Sequence, residues 1–256
     1  MSSLRSSILV IPCYNEETRL DLKQVDELLG DGSLGIVFVD DGSKDRTLER
    51  LNAIAAKHPD SVTVLPLEKN AGKGEAVRAG CLKAIALGAS VVGYADADFS
   101  TPPHEIVRLL RVLEQKRRAV VLGSRWARLG SHIERRKRRH YLGRVFATAA
   151  AITLDLIVYD TQCGAKWFKV TESLRASFAE RFHSRWAFDV ELIGRLVGRL
   201  GRNTALTQLE DVMEEPLDYW RDVDGSKLSF LAMGKALLDL GRLFLEAHPI
   251  PSLRES

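Results

Sequence analysis

Through the first half of the chain, short apolar runs rich in β-branched residues alternate with longer segments whose apolar residues recur at helical spacing. Residues 8–11, 36–39, 62–65, 91–94 and 119–122 read as buried strands, since an unbroken apolar run suits a strand covered on both faces. Residues 18–29, 47–57, 74–87 and 105–116 read as amphipathic helices between them. This alternation predicts right-handed βαβ crossovers and the α/β class: a Rossmann-like, mostly parallel sheet flanked by helices. After residue 125 the pattern loosens into a helix over 141–156, a short strand over 165–169, a helix over 188–200 and a final amphipathic helix over 228–245. There is no internal repeat, low-complexity tract or linker, so the expectation is one domain spanning 1–256.

In such a sheet, ligands gather beyond the carboxyl ends of the strands. The polar residues of interest fall there: Pro12 to Glu16 after the first run, Asp40 to Ser43 after the second, Lys69 to Gly74 after the third, Asp96 to Ser100 after the fourth, and Gly123 to Arg125 after the fifth.

Composition narrows the class without naming a chemistry. A chain of 256 residues can bury a sizeable core. Charged residues are plentiful and apolar ones near the globular norm, so the bulk of the chain is neither disordered nor membrane-spanning. Cys13, Cys81 and Cys163 are odd in number and widely spaced, which argues against a disulfide framework or a zinc site and fits a reducing cytoplasm. The apolar run before Pro12 is too short for a signal peptide or a spanning helix. Net charge is only +3, yet Arg135, Arg136, Lys137, Arg138 and Arg139 stand together. Such a run is either a solvated helix end or a contact for an anionic membrane surface or a phosphate; nothing points to nucleic acid.

Asp96-Ala97-Asp98 ends the fourth run, and alternation along an extended chain sends both carboxylates to one side, where they can share a divalent cation, Mg²⁺ or Mn²⁺, that bridges a diphosphate. Alone, the pair reads equally well as a turn. In Asp40-Asp41-Gly42-Ser43-Lys44-Asp45, the last aspartate reads as a helix N-cap, leaving Asp40 or Asp41 to accept a hydrogen bond from a base. Gly72-Lys73-Gly74 has neither the spacing of a nucleotide-triphosphate loop nor that of a dinucleotide fingerprint. Arg125 can grip a phosphate through two nitrogens.

Taken in order, Pro12-Cys13-Tyr14-Asn15-Glu16, Asp40-Asp41-Gly42-Ser43, Asn70-Ala71-Gly72-Lys73-Gly74 and Asp96-Ala97-Asp98 resemble the family 2 glycosyltransferases. Three later segments, 160–168, 185–191 and Trp220 with Gly225-Ser226-Lys227, resemble the dolichyl-phosphate β-glucosyltransferases among them. The resemblance implies a GT-A type domain with its nucleotide-sugar half over 1–125 and its acceptor half over 126–256. It implies an inverting, metal-dependent transfer of a hexose, glucose from UDP-glucose, to a polyprenyl phosphate. Pro12, Tyr14, Glu16, Asp40, Asp41, Lys73 and Asp96 would hold the nucleotide, Asp96 and Asp98 the metal, and Asp98, Arg125 and Asp189 would serve the reaction.

Other roles remain open for several of these residues. Asp189 and Glu191 can stabilise a helix start or face the sugar and acceptor; Lys73 can hold the nucleotide, while Gly72 and Gly74 allow close helix packing; Trp186 and Trp220 can be core or an aromatic wall. Members of that family usually carry a membrane-spanning segment ahead of the catalytic domain, and none is expected from this sequence. The helices over 141–156 and 228–245 would instead lie in a membrane interface, placing the protein on the cytoplasmic face, or else pack on the sheet or a second subunit. The competing functions are a soluble relative that glycosylates a hydroxyl group and a silent nucleotide-sugar binding module.

Overall fold

The structure, a computed structural model, describes residues 6–30, 32–134, 137–201, 203–223 and 230–248. In chain order the elements are β1 (Ser7–Cys13), α1 (Leu22–Gly30), β2 (Gly35–Asp40), α2 (Thr47–Lys57), β3 (Val62–Pro66), α3 (Lys73–Ala86), β4 (Val91–Ala95), α4 (Pro103–Gln115) and β5 (Val120–Ser124). They continue as β6 (His132–Glu134), α5 (Lys137–Leu154), β7 (Ala165–Lys169), α6 (Glu172–Ala179), α7 (Phe188–Leu196), β8 (Val212–Pro216), β9 (Tyr219–Arg221) and α8 (Phe230–Ala247). Seven strands form one sheet in the order β3-β2-β1-β4-β7-β5-β8, while β6 and β9 pair separately. Strands from both halves of the chain build the same sheet, so the molecule is a single domain.

The sheet is covered on both sides, which is why its strands read as unbroken apolar runs. One core contains residues of α1, α2 and α4 packed on Leu9, Ile11, Phe38 and Trp167; the other contains residues of α3 and α5 to α8 packed on Val10, Val92, Tyr94 and Phe168. All five strands expected in the first half are present, four with slightly wider bounds and β5 shifted one residue later at its start and two at its end. β7 runs antiparallel to both β4 and β5, an exception to the parallel pattern. Its first residue, Ala165, therefore pairs with Ala95 at the end of β4. The loop that precedes β7 is thereby delivered to the carboxyl edge of the parallel strands.

Most helix bounds differ from the sequence pattern by a few residues, and three of them do so for visible local reasons. The expected start at 18 moves to Leu22, because the Glu16 carbonyl closes a turn with the Arg19 and Leu20 N–H groups and Asp21 accepts from the Lys23 N–H at 2.9 Å. α7 stops at Leu196, with Gly198 and Gly201 beyond it at positive φ. α5 ends at Leu154, followed by Asp155 at positive φ. Arg135, Arg136 and the Gly225-Ser226-Lys227 segment lie outside the described residues.

Candidate active site

The loops after β1, β2, β3 and β4 meet at one edge and are tied together by hydrogen bonds. The Asp41 N–H donates to the Cys13 carbonyl at 2.8 Å, the Asn15 N–H to Ser43 Oγ at 3.0 Å, and the Glu16 N–H to Thr47 Oγ1 at 2.8 Å. Pro12 sits in β1 opposite Val39, and Tyr14 is half-buried just past the strand. Asp45 accepts from the Thr47 N–H at 3.0 Å, although the cap position itself falls on Arg46. Its carboxylate thus does the expected capping work from one residue further out.

The two aspartates after β2 have different roles. Asp41 accepts from the Ala71 N–H at 2.7 Å, the Gly72 N–H at 3.0 Å and Asn70 Nδ2 at 2.9 Å, so it staples the loop after β3. Burial raises its pKa above the ordinary carboxylate value, against those hydrogen bonds. Asp40 is equally buried and accepts from the Ser43 N–H at 3.3 Å through Oδ2, while its Oδ1 has no hydrogen-bond donor. A buried acceptor left unmatched is costly and marks a place for a ligand N–H.

The loop stapled by Asp41 places α3. Gly72 has φ +95°, and a Cβ there would come within 2.6 Å of Arg185 Nε, whose side chain holds the Asn70 and Ala71 carbonyls. Gly74 packs against Phe188, confirming close helix packing. Lys73 opens the helix and pairs with Asp96 Oδ1 at 2.6 Å. Burial disfavours its ammonium, but Asp96 and Asp189 outweigh that and raise its pKa.

Asp98 accepts from the Ser100 N–H at 3.0 Å and Ser100 Oγ at 2.9 Å, and pairs with Arg19 at 3.2 Å. Burial first, and then the charge on Asp96, raise its pKa. The two aspartates thus stand close enough to repel, a strain that a shared cation relieves. Among the described residues no three His, Cys, Asp or Glu side chains are grouped to hold a metal. The pair fits a hard divalent ion whose remaining oxygens come from a diphosphate and water.

From the second half, Arg125 arrives at the end of β5. Its Nε and Nη2 are committed to Asp160 at 2.6 and 2.8 Å, and its guanidinium lies 5.4 Å from the Trp220 ring. Burial works against the guanidinium, but the Asp160 charge prevails and keeps it firmly protonated. Trp220 is thus a core residue that carries Arg125 on its ring, whereas half-buried Trp186 packs on the core of the α7 side. Around this ion pair the sequence reasoning missed four buried polar atoms that have no hydrogen-bond partner: Ser124 Oγ, Thr161 Oγ1, Gln162 Nε2 and Arg144 Nη1. Arg144 also lies over the Tyr159 ring at 4.0 Å. The basic segment around 125–144 was the available signal for Arg144.

Asp189 is buried at the start of α7, where Oδ1 accepts from Lys166 Nζ at 2.7 Å and from the Tyr94 hydroxyl. Neither Asp189 nor Glu191 caps the helix; Ser184 Oγ accepts from the Ala187 N–H instead. Glu191 is turned away from the edge into a pair with Arg195 at 2.6 Å and His183 at 2.8 Å, which removes it from the sugar and acceptor.

A family model described as glycosyl transferase family 2 matches residues 8–174. A dolichyl-phosphate beta-glucosyltransferase of Drosophila melanogaster is 34% identical, with 92% of this chain and 74% of that protein covered. The corresponding Homo sapiens enzyme is 31% identical, covering 90% and 73%. Among solved structures, glucosyl-3-phosphoglycerate synthase from Mycobacterium tuberculosis superposes with a TM-score of 0.66 at 20% identity, covering 97% of this chain and 82% of that one. A second structure of that synthase, in complex with Mn²⁺, UDP and glucosyl-3-phosphoglycerate, has a TM-score of 0.63 at 19% identity, with the same coverage.

Proposed function

The chain belongs to glycosyl transferase family 2, with the GT-A fold and glycosyltransferase activity that go with it, and on that premise we propose that it transfers glucose from UDP-glucose to a polyprenyl phosphate with inversion. The observation that carries the donor half is the unmatched, buried Asp40 Oδ1 beside the glycine-bearing loop, which suits the ring N–H of a uracil. Asp41, Asn70 and Arg185 keep that loop in place.

Asp96 and Asp98 would hold Mg²⁺ or Mn²⁺, which when bound neutralises charge on the departing diphosphate. Lys73 keeps Asp96 in place and brings a second positive charge to the same spot. Asp160 orients Arg125, and Arg144 and Gln162 supply buried donors next to it, so residues 124–125 and 159–162 form the phosphate end of the acceptor site. Positioning and charge stabilisation carry such a transfer. Residues 1–125 then serve mainly the donor and 126–256 the acceptor.

We further propose that the protein works at an anionic membrane surface. No helix among the described residues is long and apolar enough to cross a membrane. α5 and α8 pack together through Ala236, Leu240 and Leu243 and leave Val145, Ile152, Leu238 and Leu245 exposed. Those leucines, with the basic run at the start of α5, suit the cytoplasmic face of a bilayer.

The test is transfer of labelled glucose from UDP-glucose to a short-chain polyprenyl phosphate, with Mg²⁺, with Mn²⁺ and with chelator. A lipid-linked product that needs the metal supports the proposal. Failure with every nucleotide sugar and either metal refutes it.

A further inference from the structure

Lys166 has no part in the assignments made so far, yet its side chain is 0% exposed. It stands on β7 directly opposite Tyr94 on β4. Its ammonium donates to Asp189 Oδ1 at 2.7 Å and to the Cys163 carbonyl at 2.6 Å, and lies 5.1 Å from the Tyr94 ring centroid. The Tyr94 hydroxyl donates to the same Asp189 oxygen. One charge thus joins three pieces: β4, the start of α7, and the loop before β7.

That loop carries much of the site. Asp160 grips Arg125, and Gly164 accepts from the Asp96 N–H through its carbonyl at 3.1 Å. Replacing a buried ion pair by apolar residues is often neutral or stabilising, so stability alone is a weak reason for this one. Its partners point to the reaction instead.

The other carboxylates of the site are also engaged. Asp96 pairs with Lys73, Asp98 with Arg19 and Asp160 with Arg125. With Asp189 held by Lys166, and Glu214 accepting from the Tyr159 and Asp160 N–H groups at 2.8 and 2.7 Å, these carboxylates are already engaged.

We propose that Lys166 is a positioning residue that fixes the acceptor loop and withdraws Asp189 from proton transfer, restricting the enzyme to acceptors whose attacking oxygen is already an anion. The inference rests on the glycosyltransferase proposal above. In the transfer, a phosphate oxygen forms the bond to the anomeric carbon while the bond from that carbon to the diphosphate breaks, its electron pair leaving with the nucleoside diphosphate. An ionised acceptor oxygen gives up no proton. A hydroxyl acceptor must lose one, and none of Asp96, Asp98, Asp160 and Asp189 is free to take it.

The test uses the full chain with UDP-glucose, metal and two acceptors: a short-chain polyprenyl phosphate and the corresponding free alcohol. Wild type should glycosylate the phosphate and leave the alcohol untouched; glycosylation of the alcohol at a comparable rate overturns the inference without touching the donor assignment. The neutral pair Lys166→Gln with Asp189→Asn should keep kcat on the phosphate within about tenfold and raise its KM by about tenfold, since a charged hydrogen bond to the loop is lost. UDP binding by calorimetry and the shape of the pH profile should match wild type. A kcat loss of about 10²- to 10⁴-fold with disappearance of an acid limb would identify Asp189 as a base and overturn the proposal. An unchanged acceptor KM would reduce the pair to a structural one and overturn it equally. If the pair fails to fold, the wild-type comparison of phosphate with alcohol still decides. Absence of both UDP binding and transfer to any acceptor would strike the glycosyltransferase proposal itself, and this inference with it.

Discussion

Gly164→Ala places a Cβ 2.1 Å from Asp96 Oδ2 and 2.4 Å from its Cγ, where ordinary contacts begin at 3.4 Å. Gly164 is not among the residues at positive φ, so alanine meets no backbone strain there. Its smaller unfolded-state entropy favours the folded variant by about 0.4–1 kcal/mol. The Asp96 side chain must therefore swing aside, giving up the 2.6 Å pair with Lys73 and its place beside Asp98. A charge-assisted hydrogen bond contributes about 1.5–3 kcal/mol, so UDP in the presence of Mn²⁺ should bind roughly 10- to 100-fold more weakly. Calorimetric titration measures this, and a thermal melt is the control, with Tm within about 4 °C of wild type. Wild-type affinity would refute the placement of Asp96 in the donor site. Weak binding accompanied by a large fall in Tm would refute it too, since the loop before β7 would have yielded rather than Asp96.

Asp40→Ala should weaken UDP binding by about tenfold through one lost hydrogen bond to a charged group, with little change in Tm. Asp41→Ala should instead lower Tm, because it strands the Ala71 and Gly72 N–H groups, and should weaken UDP only as the loop loosens; equal and negligible effects on binding would remove both from the site. Asp98→Asn should abolish the metal dependence of UDP binding while raising the Tm of the metal-free protein at neutral pH. The sign follows from its raised pKa: such a carboxyl stabilises the fold below its ordinary pKa, and that stability is lost as pH rises through the higher folded value, so a neutral amide removes the loss. A metal-free Tm at or below wild type would contradict this. Arg135, Arg136, Arg138 and Arg139 replaced together by glutamine should release the protein from anionic vesicles in a sedimentation assay, since each basic residue near such a surface contributes about 1 kcal/mol. No binding of wild type at low salt would refute membrane association.

The first half of the fold was legible because each strand is covered on both faces and each helix carries one apolar stripe, so burial wrote itself into the spacing. β8 and β9 were not, since Met213-Glu214-Glu215-Pro216 and Tyr219-Trp220-Arg221 are short and mix charge with apolar residues. Charge was misleading in another way. Glu191 sits two residues from Asp189, and both looked available to a sugar, yet each is consumed by a buried cation, Asp189 by Lys166 from β7 and Glu191 by Arg195 one helical turn on. A partner such as Lys166, 23 positions from Asp189, is supplied by topology and leaves no trace in local spacing. The roles of Asp40 and Asp41 were inseparable for the same reason, because only the loop after β3 decides which of them is occupied.

β7 explains why so much of the site comes from one short segment. In a purely parallel sheet, the segment leading into a strand lies at the edge opposite the ligands. Because β7 is inserted antiparallel between β4 and β5, its leading segment reaches the ligand edge, flanked by the Asp96 loop on one side and Arg125 on the other. Asp160 and Gly164, four residues apart, touch both through the Arg125 ion pair and the Asp96 N–H. A shift of this segment would therefore move the donor's metal-binding pair and the acceptor's arginine together. Lys166 ties its backbone to α7, so a loosened Lys166 should show in the grip on the acceptor, through Asp160 and Arg125, more than in the transfer step.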